Sequence, residues 1–163
     1  IIVNFASLCM VNQSWSKPND WLTTNIIGQT KLCEAITEID TTETYVHFTT
    51  PEVYGNSPKA IKEGYEHNPT TPYSLSRSTG DKITKMLLAR KKGIKVRFVR
   101  AASIYCETQH IYRLIPRIIA HLQYKIPFKI EGSGETVRQY IHMSDVSIAI
   151  NKRIGNKDPI KAI

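Results

Sequence analysis

The chain has 163 residues, 41% hydrophobic and 22% charged with no low-complexity tract, which is enough to bury one core and excludes a disordered polymer. Lysine and arginine outnumber acidic residues 22 to 14, giving a formal charge of +8. The basic residues are scattered, however, and the longest cluster, Arg90-Lys91-Lys92, falls at an expected helix C-terminus, where the macrodipole favours cations, so nucleic acid is not an expected partner.

Ile1-Ile2-Val3-Asn4-Phe5-Ala6 is an apolar run with no polar face, the pattern of a strand buried on both sides of a parallel sheet. A chain starting on such a strand reads as truncated at residue 1. From Pro18-Asn19-Asp20 the apolar residues Trp21, Leu22, Ile26, Ile27, Leu32, Ala35, Ile36 and Ile39 recur every three or four positions, predicting an amphipathic helix with an Asn/Asp start. Tyr45-Val46-His47-Phe48 is a second strand, and residues 55–71, rich in Gly, Pro, Asn and Ser, form a long loop of the kind that usually serves function. Pro72 opens a helix expected to run to Gly93, followed by a third strand over residues 94–99.

Strand, helix, strand, helix, strand argues for a Rossmann-like α/β fold with a doubly wound parallel sheet. Beyond it the pattern predicts a helix over residues 112–124 and short strands at Phe128-Lys129-Ile130 and Arg138-Gln139-Tyr140-Ile141 around a Gly132-Ser133-Gly134 turn. A last helix capped at Ser144-Asp145 then runs through Ile150. Residues 151–163 give little to read.

No apolar run reaches the roughly 18–20 residues that cross a bilayer, and the opening lacks the basic flank of a secretory signal. Cys9, Cys33 and Cys106 are too few for a disulfide framework, so a cytoplasmic setting is expected. His47, His67, His110, His121 and His142 show no ligand spacing, and no metal is expected. The chain carries no G-x-G-x-x-G between a strand and a helix, so by spacing alone it has no dinucleotide fingerprint.

Tyr73-Ser74-Leu75-Ser76-Arg77 places a phenol and a guanidinium on one helix face. It resembles the Tyr-x-x-x-Lys pair of the short-chain dehydrogenases. Thr49-Thr50-Pro51-Glu52-Val53-Tyr54-Gly55 resembles the Ser-Thr-Asp-Glu-Val-Tyr-Gly segment of nucleotide-sugar 4,6-dehydratases, and it follows a strand, where α/β sheets collect ligands. Phe5 to Ser14, Thr24 to Gly28, Arg100 to Tyr105, Arg113-Leu114-Ile115-Pro116, Gly132-x-Gly134, Val137-Arg138, Tyr140-Ile141-His142 and Asp145-Val146 resemble further stretches of that family in the same order. Nearly everything from Ile1 to about Ile150 is therefore identified as similar to the extended short-chain, NAD-dependent epimerase/dehydratase family.

That resemblance implies NAD as cofactor, a nucleotide sugar as substrate and a homodimer for the intact protein. It also implies a division into the C-terminal part of a Rossmann-type NAD domain (1–110) and the start of a substrate region (111–163). In the reaction it implies, hydride leaves the sugar C4 while Tyr73 takes the hydroxyl proton, Glu52 removes the C5 proton, water leaves C6, and hydride returns to C6. Thr50, Glu52, Tyr73 and Arg77 are the implied catalytic residues, and Ala6, Thr49, Tyr73 and Arg77 the implied cofactor contacts. Thr50, Ser103, Arg113, Leu114 and Arg138 are the implied substrate contacts, with the two arginines suited to a diphosphate through paired hydrogen bonds.

The sequence departs from the family at several of these positions. Pro51 stands where many 4,6-dehydratases carry an Asp that protonates the departing hydroxyl, so either Glu52 serves as base and acid or elimination is lost. A lone glutamate there also resembles the UDP-glucuronate decarboxylases, and a decarboxylase or epimerase of the same fold is the second enzyme reading. Arg77 replaces Lys with a bulkier, flat donor, from which slower redox chemistry is expected. Ser103 replaces an Asn, and Cys106-Glu107 replaces Gly-Pro. Together these departures leave room for a catalytically degenerate nucleotide-sugar-binding or interaction protein. The 163 residues alone are expected to bind NAD poorly and to self-associate.

Overall fold

The structure, a computed structural model, describes residues 1–57, 60–64, 66–130, 134–135 and 137–155. The chain divides into two compact units, one built on Ile1–Arg100 and the other on Ala101–Arg153.

In the first unit, β1 (Ile2–Asn4), β2 (Thr44–Thr49) and β3 (Lys95–Arg100) form a parallel sheet in the order β1-β2-β3. This is the α/β architecture with a parallel sheet that the alternation of patterns predicts. The central strand is closed on both faces: Thr44, Tyr45, Val46, His47 and Thr49 are all buried, as expected of a parallel strand covered by helices. β1 is less enclosed than its apolar run suggests, with Ile2 and Val3 half-buried and Phe5 exposed. Cys33, Ile36, Tyr45 and Leu88 form the buried core, with Ile2, Leu32, Leu87, Ile94 and Val96 packed around them.

The first helical stretch differs from its sequence pattern in an instructive way. A short helix α1 (Val11–Ser16), which apolar periodicity does not mark, precedes α2 (Pro18–Leu22), and α2 runs through a π-helical turn at Thr23–Gly28 into α3 (Gln29–Glu38). Its buried face is Trp21, Asn25, Gln29, Cys33 and Ile36, while Ile27 points outward at 52% exposure. Two amides have taken inward positions that a hydrophobic count assigns to isoleucines. They can do so because each is hydrogen-bonded by residues distant in sequence, which removes the cost of burying them.

α4 (Pro72–Leu88) starts on a reciprocal capping box: Thr71 accepts from the Ser74 amide while the Ser74 hydroxyl accepts from the Thr71 amide. Pro72 fills the first helical position, where its missing N–H costs nothing. The helix ends at Leu88 rather than at Gly93, which instead takes φ +81° in the turn leading to β3. The long loop before α4 is pinned at both ends. The Asn68 amide donates to the Val53 carbonyl at 2.9 Å, and Gly55 (φ +71°) lies so close that a Cβ there would sit 2.2 Å from the Asn68 carbonyl oxygen.

The second unit contains β4 (Ser103–Tyr105), α5 (Leu114–Gln123), β5 (Tyr140–His142) and α6 (Met143–Gly155). β4 and β5 pair in parallel, Ser103 opposite Tyr140 and Tyr105 opposite His142. Residues 128–130, expected as a strand, join no sheet; Phe128 packs instead against the His121 ring and under the Arg117 guanidinium. The expected strand at 138–141 is shifted to Tyr140–His142. The last helix begins one residue earlier than Ser144 and continues past Ile150 to Gly155, with the His142 imidazole, 2.7 Å from the Ser144 hydroxyl, at its start. Gly132 and Ser133 of the expected turn and residues 156–163 of the tail lie outside the described residues.

Candidate active site

The C-terminal end of β2 and the first turns of α4 bring four of the expected residues together. Thr50, extended at φ −138° and ψ 145°, leaves β2 and caps a four-residue 3-10 turn, Pro51–Tyr54, by accepting the Glu52 amide on its hydroxyl at 3.3 Å. Pro51 occupies the first position of that turn, again where no N–H is needed, and Val53 anchors the turn in the interior. Glu52 is thereby held half-buried beside the strand end. Pro51 itself is exposed and offers no donor.

Tyr73 and Arg77, one turn apart on α4, are 7% and 4% exposed. The Tyr73 amide, an orphan donor of the first helical turn, gives its proton to the Ser14 hydroxyl at 3.1 Å, and Ser14 donates in turn to the Val11 carbonyl at 2.6 Å. The helix α1 that periodicity misses thus docks onto the start of α4. Arg77 donates through Nη2 to the Phe48 carbonyl on β2, while its buried Nε has no protein partner.

Burial pushes the Tyr73 phenol above its ordinary value of 10, and the neighbouring Cys9 and Glu52 push the same way. A hydrogen bond with Thr50 and the charge of Arg77 pull it back without reversing the shift. The lowered pKa expected of a proton carrier is therefore not produced by these protein groups. The phenol is held neutral next to a hydroxyl and a cation, a setting that favours its anion as soon as further positive charge arrives.

A buried amide fixes this arrangement from behind. Asn25, inside the π-helical turn, accepts the Leu8 amide at 2.9 Å and donates to the Leu8 carbonyl at 3.0 Å and to the Ser76 hydroxyl at 2.9 Å. Ser76 donates to the Tyr73 carbonyl at 2.7 Å. One side chain thus ties the segment after β1 to the helix that carries Tyr73 and Arg77. Gly80 permits the approach, since a Cβ there would meet the Asn25 carbonyl oxygen at 2.8 Å. Ser14, Asn25, Ser76 and Gly80 were not singled out as site residues in the sequence. The Asn and Gly of Thr24 to Gly28 stood in a recognised stretch, but a buried polar residue in a helix has no periodic signature of its own.

Of the remaining expected contacts, Ala6 lies just past β1, exposed, with its amide bonded to the Asn4 side chain at 2.9 Å. Thr49 is buried at the last position of β2, with its hydroxyl beside the Asp81 carboxylate. Ser103, Arg113, Leu114 and Arg138 belong to the second unit. Ser103 opens β4, its amide bonded to the Gln139 carbonyl at 3.0 Å. Arg113 stands at the N-cap position of α5 with its guanidinium over the Tyr112 ring, Leu114 is exposed at the first position of α5, and Arg138 is exposed two residues before β5. Among the described residues, no three of His, Cys, Asp or Glu converge as a metal site, and no helix is long and apolar enough to cross a membrane.

The residues present fit the redox end of a dinucleotide. A phenol and a guanidinium with an unpaired buried Nε face the C-terminal end of a parallel strand, the place where α/β sheets bind ligands. Residues 1–161 match the profile of the NAD dependent epimerase/dehydratase family. The chain belongs to that family.

NAD is the cofactor of the family. A dTDP-glucose 4,6-dehydratase of Mycolicibacterium smegmatis is 28% identical over 153 residues, covering 91% of the chain and 45% of the enzyme. The chain thus spans less than half the length of this curated relative. The trifunctional UDP-glucose 4,6-dehydratase/UDP-4-keto-6-deoxy-D-glucose 3,5-epimerase/UDP-4-keto-L-rhamnose-reductase RHM3 of Arabidopsis thaliana is 30% identical over 152 residues, covering 91% of the chain and 23% of that protein. The solved structure of MoeE5 in complex with UDP-glucose and NAD superposes with a TM-score of 0.90 at 25% identity, over 98% of the chain and 54% of MoeE5. These family members act on or hold nucleotide sugars, as their names state.

Proposed function

We propose that the intact protein is an NAD-linked nucleotide-sugar 4,6-dehydratase. The observation that carries this reading is the convergence of Thr50, Glu52, Tyr73 and Arg77 at the end of β2. A proton carrier, a hydroxyl relay and a carboxylate are then within one short stretch of structure. Relatives that match about nine-tenths of the chain are named as 4,6-dehydratases.

Tyr73 takes the sugar C4 hydroxyl proton, with the Thr50 hydroxyl aligning that oxygen through the hydrogen bond the two side chains already share. Arg77, with its unpartnered Nε, would hold the cofactor's ribose, and its charge favours the phenolate. NAD, when bound, would supply a positive ring and the hydride exchange between C4 and C6. Glu52 removes the C5 proton, made acidic by the neighbouring ketone. Since Pro51 can donate nothing, the same carboxyl group then passes its proton to the hydroxyl leaving C6, and the proton taken up by Tyr73 is returned, through solvent, to C5 as hydride adds at C6, so that water is the only group lost. Ala6 and Thr49 would border the cofactor; of the substrate contacts in the second unit, Ser103, Leu114, Arg113 and Arg138, the two arginines have the chemistry to take a diphosphate by paired hydrogen bonds to phosphate oxygens.

The missing donor at Pro51 favours a second reading, an epimerase of the same family, because C4 oxidation and re-reduction need Tyr73 and no acid at that position. Incubation of the intact protein with NAD and dTDP- or UDP-glucose separates the two. A 4-keto-6-deoxy sugar supports the dehydratase, a C4 epimer supports the second reading, and recovery of every substrate unchanged rejects both.

A further inference from the structure

Asp81 lies two turns beyond Tyr73 and one beyond Arg77, so the three share a face of α4. It is an acid buried to 3% exposure, and it sits where three elements meet. From β3, Arg100 donates through Nη2 to Asp81 Oδ2 at 2.7 Å. From β2, His47 Nε2 lies 3.3 Å from Oδ1, and the Thr49 hydroxyl is alongside. Arg100 extends the junction: its guanidinium stacks over Tyr54 at 5.4 Å, on the same 3-10 turn as Glu52, and approaches His67 Nε2 at 3.4 Å. His67 is itself held by the Ser78 hydroxyl at 2.9 Å and packs edge-on against Tyr54.

The junction therefore joins the two supports of the candidate site at fixed separation. Thr50 and Glu52 leave β2 directly after His47 and Thr49, while Tyr73 and Arg77 ride on the helix that Asp81 anchors. A buried ion pair contributes little net stability compared with apolar packing of the same volume, and its best-attested use is to specify one geometry. None of the groups at this junction is a reacting group in the proposed reaction.

We propose that Asp81 is a positioning residue: through Arg100, His47 and Thr49 it sets the distance and angle between the Tyr73–Arg77 pair and the Thr50–Glu52 turn. The inference rests on the dehydratase reading for its kinetic consequence and on structure alone for its spectroscopic one. Misplacing reacting groups by about 1 Å costs up to ~100-fold in rate, so the effect belongs in kcat.

The test uses the intact protein, wild type, Asp81→Asn and Arg100→Lys, the second covering the case in which the first does not fold. Turnover is expressed per site that binds NAD, and the Tyr73 environment is read from a 13Cζ-tyrosine resonance assigned by Tyr73→Phe. The expected result is a kcat per site lower by ~10- to 100-fold with KM for the nucleotide sugar within about twofold, and a displaced Tyr73 resonance. A lower melting temperature with unchanged kcat per site and an unmoved resonance makes Asp81 merely structural and overturns the proposal. If wild type turns over no nucleotide sugar, the dehydratase reading fails, and the resonance still decides the role of Asp81.

Discussion

Local chemistry places Glu52: a strand end, a threonine that accepts its amide and a proline that costs nothing at the first position of a turn. That is why its segment was readable in the sequence, as was the four-residue interval from Tyr73 to Arg77, which any helix converts into a shared face. The proposed division of labour makes the two readable groups separable. Glu52→Gln should lower formation of the 4-keto-6-deoxy product by ~10²–10⁴-fold while C4 oxidation continues. Stopped-flow absorbance at the reduced-nicotinamide band would show the cofactor trapped in its reduced form; loss of that signal together with product would remove Glu52 from the elimination step alone. The residues that were not readable are those whose inward position depends on distant partners. Asn25 and Gln29 are buried because Leu8, Ser76, Tyr45 and Thr84 receive or supply their hydrogen bonds, and hydrophobic periodicity carries no trace of such partners. The phenol of Tyr73 is a similar case, because its upward shift comes from enclosure that a sequence does not display.

At the scale of elements, long patterned segments were legible and short ones were not. α4 was recognisable from Pro72 onward because capping, proline and periodicity agree. β4 and β5 have three residues each, too few for alternation to register, and residues 128–130 have strand composition but pair with no strand among the described residues. The packing of the π-helical turn against α4 depends on Gly80. In an open helix Gly80→Ala would stabilise by about 1 kcal/mol, whereas forcing atoms into a filled contact costs about 1–3 kcal/mol. With the Asn25 carbonyl oxygen 2.8 Å from the new Cβ, the steric term should win. Thermal or denaturant unfolding of Gly80→Ala should show a loss of roughly 1–2 kcal/mol; a gain would mean that the two helices are not in contact at this point.

For the molecule as a whole, the parallel α/β architecture followed from the alternation of strand and helix patterns, since few topologies satisfy it. The polar seam through the first unit did not, although it makes stability depend on pH. Burial pushes His47 below its ordinary 6.5, more strongly than Asp81 beside it pushes back. The unfolded chain therefore binds that proton first, and stability falls as pH drops below about 6.5. Burial alone would raise Asp81, yet His47, Arg100 and Thr49 together hold it below 3.8, so its contribution is present above that value and is lost as pH falls through the lower one. Both groups act in the same direction. The melting temperature of the protein should decline from pH 7.5 to pH 5, and His47→Gln should flatten the decline; a curve rising toward acid would contradict the buried, neutral imidazole.

The central claim is that hydride leaves C4 and returns to C6 of one sugar while Tyr73 and Glu52 move the protons. Intact protein supplied with NAD and a nucleotide-activated glucose deuterated at C4 tests it most directly. Deuterium in the C6 methyl group of a 4-keto-6-deoxy product is the predicted result, whereas deuterium found only at C4, in recovered substrate or in its epimer, would contradict it.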